Sequence, residues 1–166
     1  RKVAEVCREL SVPVIAKEVG WGFSKEDIRL LEQCGVSAID VAGAGGTSWS
    51  QVEMHRTQNH YQAQLAAAFV DWGIPTVEAI SNVRTLAPNM TIFASGGLRS
   101  GVDIAKCIAL GARLGGMAKP FLKSAVTSLE DTIQTILTIQ RQIQVCMFAS
   151  GAANLAELHV EKVLLP

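Results

Sequence analysis

Apolar residues along the chain follow two rhythms: short unbroken runs, and longer stretches in which they recur every three or four positions. The runs predict strands covered on both faces, and the recurrences predict helices with one buried stripe. Val3, Ala4, Val6, Cys7 and Leu10 carry the helical spacing over residues 1–10. Strands are expected at residues 13–19, 37–42, 91–94 and 113–117. Helices are expected over about 24–34, 64–72, 75–87 and 102–110, followed by a long one at about 121–145 and a shorter one at 154–163. Ser24 with Asp27, and Ser100 with Asp103, have the spacing of helix-start caps, while Gly35 and Gly111 sit where helices stop. The polar stretch 50–62, with His55, Arg56, His60 and Tyr61, predicts a mobile loop or lid over the strand ends.

Strict alternation of strand and helix with short glycine-rich connections predicts a parallel sheet built from right-handed crossovers. Two α/β architectures fit: a small doubly wound sheet, or four βα units of a (β/α)8 TIM barrel. A full barrel takes about 250 residues, so 166 residues with four strands are read as a half barrel, a single domain over residues 1–166. The uncapped helical start suggests a piece of a longer chain. An isolated half would leave two sheet edges unpaired, so a truncated chain, or a second chain completing the barrel, is expected.

In a barrel the chemistry belongs at the C-terminal ends of the strands. Lys17 ends the first strand, and alternation puts Glu18 on the opposite face. A lysine at a barrel mouth needs an anion, and a ligand-facing role is preferred here to a structural salt bridge. Thr47 and Ser48 follow a glycine- and alanine-rich turn able to lay amides and a hydroxyl against an anion. Trp49 beside them is either a core plug or a pocket wall. After the third strand, Gly96 and Gly97 allow a sharp turn, and free N–H groups of the helix that follows would suit a phosphate. A tight turn without a ligand fits that stretch equally well.

Composition narrows the field. Fifteen basic residues balance fifteen acidic ones, so no overall field favours nucleic acid or an anionic membrane. No apolar run is long enough to span a bilayer, and a cytoplasmic protein is expected. Cys7, Cys34, Cys107 and Cys146 are widely spaced and read as reduced core thiols. His55, His60 and His159 lack metal-ligand spacing.

Four segments, residues 17–22 (KEVGWG), 41–49 (VAGAGGTSW), 95–101 (SGGLRSG) and 116–122 (GMAKPFL), together resemble the type 2 isopentenyl-diphosphate isomerases, FMN-dependent (β/α)8 barrels. The resemblance covers nearly the whole chain and corresponds to the C-terminal half of that family's length. It implies that Lys17 lies beside the flavin ring, that Thr47 contacts FMN, and that Gly96, Gly97, Leu98 and Arg99 hold its phosphate with Met117 and Ala118. Trp49 would line the pocket above the flavin. The implied reaction interconverts isopentenyl and dimethylallyl diphosphate, with the acid–base work on reduced FMN, NADPH as reductant and Mg²⁺ on the diphosphate. Mg²⁺ ligands and further substrate residues would lie outside this chain, and a homo-oligomer is expected.

Alternatives of two classes remain. Flavin-dependent 2-hydroxy-acid oxidases share the lysine strand and the phosphate turn, but they need a His/Arg pair where this chain reads Gly43-Ala44-Gly45-Gly46-Thr47-Ser48-Trp49. Inosine-monophosphate dehydrogenases use a loop cysteine, and none of the four cysteines lies in a glycine-rich loop at a strand end. A catalytically inert FMN- or phosphate-binding half barrel is the reading from a different class.

Overall fold

The computed structural model describes residues 2–160. Helix α1 (Lys2–Glu9) precedes β1 (Ile15–Lys17), α2 (Lys25–Cys34) and β2 (Ala38–Asp40). Two short helices, α3 (Trp49–Arg56) and α4 (His60–Ala67), lead to α5 (Thr76–Leu86), β3 (Thr91–Ala94), α6 (Gly101–Ala109) and β4 (Leu114–Gly115). Helices α7 (Lys119–Ala125) and α8 (Leu129–Ser150) and a 3₁₀ turn at Leu155–Glu157 complete the described chain.

All three strand pairings are parallel, and the strands lie side by side in chain order, β1-β2-β3-β4. A doubly wound sheet reverses its strand order at a switch point; this one does not, so successive crossovers fall on one side. The core confirms the side. Ile39, Ile92 and Ala94 from the strands are buried with Ile28 of α2, Ala79, Ile80 and Val83 of α5, and Ile104 and Cys107 of α6. Each large aliphatic buried there contributes about 1.5–3 kcal/mol. The opposite face stays open: Ile15 is 48% exposed and Leu114 51%. Helices on one face and an open, partly apolar other face are the winding of a (β/α)8 barrel over four units.

Helix α2 runs between the predicted marks. Ser24 caps it by accepting from the Asp27 amide, and Gly35 ends it at φ +81°. Helix α6 carries the predicted capping box of Ser100 and Asp103. Two expectations need correction. Residues 50–62 form most of α3 and the start of α4 rather than a loop, with the Asn59 side chain accepting from the Tyr61 and Gln62 amides at the turn between them. The long helix expected over 121–145 is two helices: the first ends at Ala125, and Ser128 caps the next through the Asp131 amide. Of the helix expected at 154–163, Leu155–Glu157 is a 3₁₀ turn, and residues 161–163 lie outside the described residues.

Candidate functional site

Register aligns one row across the open face: Lys17 with Asp40, Asp40 with Phe93, and Phe93 with Leu114. Lys17 Nζ donates to Asp40 Oδ2 at 2.7 Å and to Ser95 Oγ at 3.2 Å. Ser95 Oγ in turn donates to Asp40 Oδ1 at 2.7 Å. The lysine preferred as ligand-facing is therefore already ion-paired, on the open side of the sheet, with its side chain 57% exposed against 15% for Asp40. An ammonium has three donors, and two of them have protein acceptors here. Ala42, just past Asp40, has φ +33°, the single non-glycine in the left-handed region among the described residues. Its amide donates to Asp40 Oδ1 at 3.2 Å.

Glu18 points the other way, as alternation requires. Its Oε2 accepts the amides of Gly20, Trp21 and Gly22 at 2.7, 2.6 and 3.0 Å, so one carboxylate shapes the whole β1–α2 loop. Trp49 starts α3 and is 51% exposed. Its indole N–H donates to the Val19 carbonyl at 2.9 Å, tying the loop after β2 to the loop after β1. Thr47 is exposed beside it.

The glycine turns stack on one another above the sheet. Gly96 has φ +100° and Gly97 φ +80°. A Cβ on Gly97 would meet the Gly45 carbonyl oxygen at 2.5 Å, and one on Gly43 would meet the Thr76 Cα at the same distance. Thr76 Oγ1 donates to the Gly96 carbonyl at 2.7 Å, and the Gly43 amide donates to the Ser95 carbonyl at 3.1 Å. Three loops are thus packed backbone to backbone.

The following helix start differs from expectation. The Arg99 and Ser100 amides donate to Asp103 Oδ2 at 2.9 and 3.0 Å, and the Gly101 amide donates to Gln142 Oε1 at 2.7 Å. The Arg99, Ser100, Gly101 and Asp103 amides at this helix start are therefore satisfied within the protein. Burial works to raise the Asp103 carboxyl, but the bonds from Arg99 and Ser100 and the nearby Lys106 hold it below its ordinary value. In the turns before it and after β4, the Gly96, Gly97, Leu98, Met117 and Ala118 amides donate to no backbone acceptor among the described residues. Gly116 lies beside Ser95, so the turns after β3 and β4 are neighbours. Leu98 is buried in the core at 7% exposure, which leaves its backbone alone to face a ligand. The Arg99 side chain lines a groove of about 380 Å³ with α7 and α8, including Lys123 and Gln142. A larger groove of about 440 Å³ lies between α6 and α8. Neither contains Lys17, Thr47 or the glycines.

Sequence reasoning gave Asp40 and Ser95 no role and assigned Glu18 only its face. The signal for Asp40 was its place: a lone acid in a short apolar strand, ending it one strand over from Lys17. The four cysteines lie on helices α1, α2, α6 and α8, away from every strand end, and burial pushes the Cys107 thiol up to about 11 with help from Asp103.

A family described as FMN-dependent dehydrogenase matches residues 1–164. The chain belongs to that family. Among curated relatives, an isopentenyl-diphosphate delta-isomerase of Nostoc sp. is 49% identical over 95% of this chain and 45% of its own length. One of Xanthobacter autotrophicus is 47% identical over 95% and 46%, and one of Rickettsia peacockii 43% over 99% and 48%. The chain spans about half the length of the curated relatives it matches. Among solved structures, an active chimera of (S)-mandelate dehydrogenase superposes with a TM-score of 0.71 at 16% identity, covering 96% of this chain and 38% of that one. A mandelate oxidase gives 0.68 at 20%, covering 94% and 43%. At such identities these neighbours establish the fold: a partial barrel of the FMN-dependent dehydrogenase type.

Proposed function

We propose that this chain is the FMN-carrying C-terminal half of a barrel that interconverts isopentenyl and dimethylallyl diphosphate. The observation that carries the reading is the 43–49% identity to relatives of that name over 95–99% of the chain. Family membership supports FMN as the cofactor. Residues 43–49 hold neither histidine nor arginine, which disfavours oxidation of a 2-hydroxy acid.

The residues present fit the cofactor's phosphate. The unused amides of Gly96, Gly97, Leu98, Met117 and Ala118 come from two adjoining turns, and any side chain at Gly96 or Gly97 would strike the loop of residues 43–45. Arg99, at the end of the first turn, adds charge. Lys17 would present a cation to the bound group, Thr47 would offer it a hydroxyl, and Trp49 would form a wall. When bound, FMN supplies the acid and base that shift the substrate's double bond, a class of chemistry proteins delegate to cofactors. Lys17 would favour negative charge beside it, while the amides of the stacked turns would hold its phosphate end. NADPH as reductant, a homo-oligomer and a cytoplasmic setting complete the proposal. Among the described residues no helix is long and apolar enough to cross a membrane. Nor does any cluster of three or more His, Cys, Asp or Glu side chains suit a metal ion, so Mg²⁺ is assigned no side chain here.

The test is isomerisation of isopentenyl diphosphate by the full-length protein, supplied with FMN, NADPH and Mg²⁺. Formation of dimethylallyl diphosphate is expected. A yellow protein that bleaches with NADPH yet leaves the diphosphate unchanged would refute the isomerase reading.

A further inference from the structure

Asp40 is the charged residue of the open face that the proposed function leaves unused. Every one of its bonds has a place in one device. Oδ2 accepts from Lys17 on β1, and Oδ1 accepts from Ser95 after β3 and from the amide of Ala42. Lys17 closes the triangle onto Ser95. The three side chains join three adjacent strands: Lys17 and Asp40 are register partners, and Ser95 lies two residues beyond Phe93, the partner of Asp40. An exposed ion pair is usually loose, since two flexible chains must be held in one geometry. Here the acceptor is a short, mostly buried side chain pinned by two further bonds, so only the lysine stem remains to be ordered. A strained backbone at Ala42, immediately beyond, is held by the same carboxylate.

We propose that Asp40 is a positioning residue: with Ser95 it fixes the Lys17 ammonium on the open face of the sheet and offsets the charge which that lysine presents to a bound cofactor. Lys17 then meets a ligand with one donor free and its position set in advance, which lowers the ordering cost on binding. Asp40→Asn keeps the shape of the side chain and removes its charge.

The first readout rests on the FMN reading. It is the two-electron midpoint potential of the flavin-loaded, full-length protein, compared in D40N, K17M and the double variant. D40N is expected to favour reduced over oxidised flavin about tenfold, the scale of one altered charge nearby, which is a rise of about 30 mV. In the K17M background the shift should shrink to the part that Asp40's own charge exerts. A shift of equal size with and without Lys17 would mean that Asp40 acts on the flavin directly, and would overturn the proposal. So would an unmoved potential with a lowered melting temperature, the mark of a structural role.

The second readout needs no flavin. Acylation of the Lys17 amine by N-hydroxysuccinimidyl acetate, mapped by mass spectrometry, should be several-fold faster in D40N. Ser95→Ala should change it in the same direction by less, and it decides the matter if D40N does not fold. Unchanged Lys17 labelling in the folded variants overturns the proposal. A wild-type protein that takes up no FMN would remove the cofactor reading and leave labelling to judge Asp40.

Discussion

Replacing Gly96 by alanine tests whether the stacked loops are as tightly set as their contacts imply. A Cβ there would run into the Gly43 carbonyl oxygen, with the Gly43 amide nitrogen 2.8 Å away and its carbonyl carbon at 2.9 Å. All three are backbone atoms flanking β2, so none can rotate aside. The residue also sits at φ +100°, which costs an L side chain about 1–2 kcal/mol. Overpacking adds about 1–3 kcal/mol. The expected loss is therefore about 2–5 kcal/mol. Gly151→Ala separates the two effects, because Gly151 has φ +68° but nothing within 4 Å of the new Cβ. It should lose about 1 kcal/mol, the backbone cost alone. Urea titration reads both as a fall in midpoint at unchanged slope. For a chain of this size each kcal/mol is about 2–4 °C in Tm, so the gap between the variants is measurable by melting as well. If the two variants lost the same stability to within about 0.5 kcal/mol, the loop above β3 would not be held against the loop above β2, and the phosphate cradle argued from it would lose its rigid wall.

Three further outcomes follow from the site's surroundings. Glu18→Gln, which replaces a charged acceptor of three amides by a neutral one, should cost about 1–3 kcal/mol in urea titration; a loss below about 0.3 kcal/mol would show the loop holds without it. Asp103→Asn should cost about 1 kcal/mol at neutral pH through the weakened capping box. Because the Asp103 carboxyl lies below 3.8 in the fold, its contribution is present above that pH and fades as pH falls through the folded value, so wild type and variant should converge in acid. Cys107, raised from 9.0 to about 11, works in the opposite sense: its neutral form stabilises the fold below pH 9 and the benefit is lost as pH climbs to 11, about 2–3 kcal/mol at most. Cys107→Ala should flatten that part of a stability–pH curve, and an unchanged slope would contradict the burial argument.

Much of the frame was readable because local chemistry and the global fold agree. At α2 the cap at Ser24, the apolar spacing and the stop at Gly35 all point to the same boundaries. At β3–α6 the strand and the capping box are where the pattern puts them. Residues 50–62 escaped because α3 and α4 bury no residue fully, so they lack the apolar stripe that marks a helix in sequence. The break at Ser128 was hidden by apolar residues continuing on both sides of it, though Ser128 with Asp131 is the same cap spacing recognised elsewhere. At the site, Lys17 and the glycines stood out by residue type. Asp40 and Ser95 did not, since their partnership with Lys17 spans 23 and 78 positions and exists only through register. The unused turn amides were likewise invisible. The sequence pointed to the start of α6 for a phosphate, but Asp103 and Gln142 satisfy those groups and leave the turns before it.

The sheet's simple strand order sets an uneven entropic cost for assembling it. Ile15 pairs with Ala38 and Phe93 with Leu114, separations of 23 and 21 positions, whereas Ala38 must find Thr91 across 53. Closing the longer loop costs about 0.8 kcal/mol more, from the logarithm of the length ratio. The expense comes from the segment holding α3 and α4, and the Gly43, Thr76 and Gly96 contacts sit where it must be recovered. Because that cost grows only logarithmically, the α3–α4 segment can lengthen or shorten by several residues for about 0.1 kcal/mol. The seam between β2 and β3 tolerates no comparable freedom, since there backbone meets backbone.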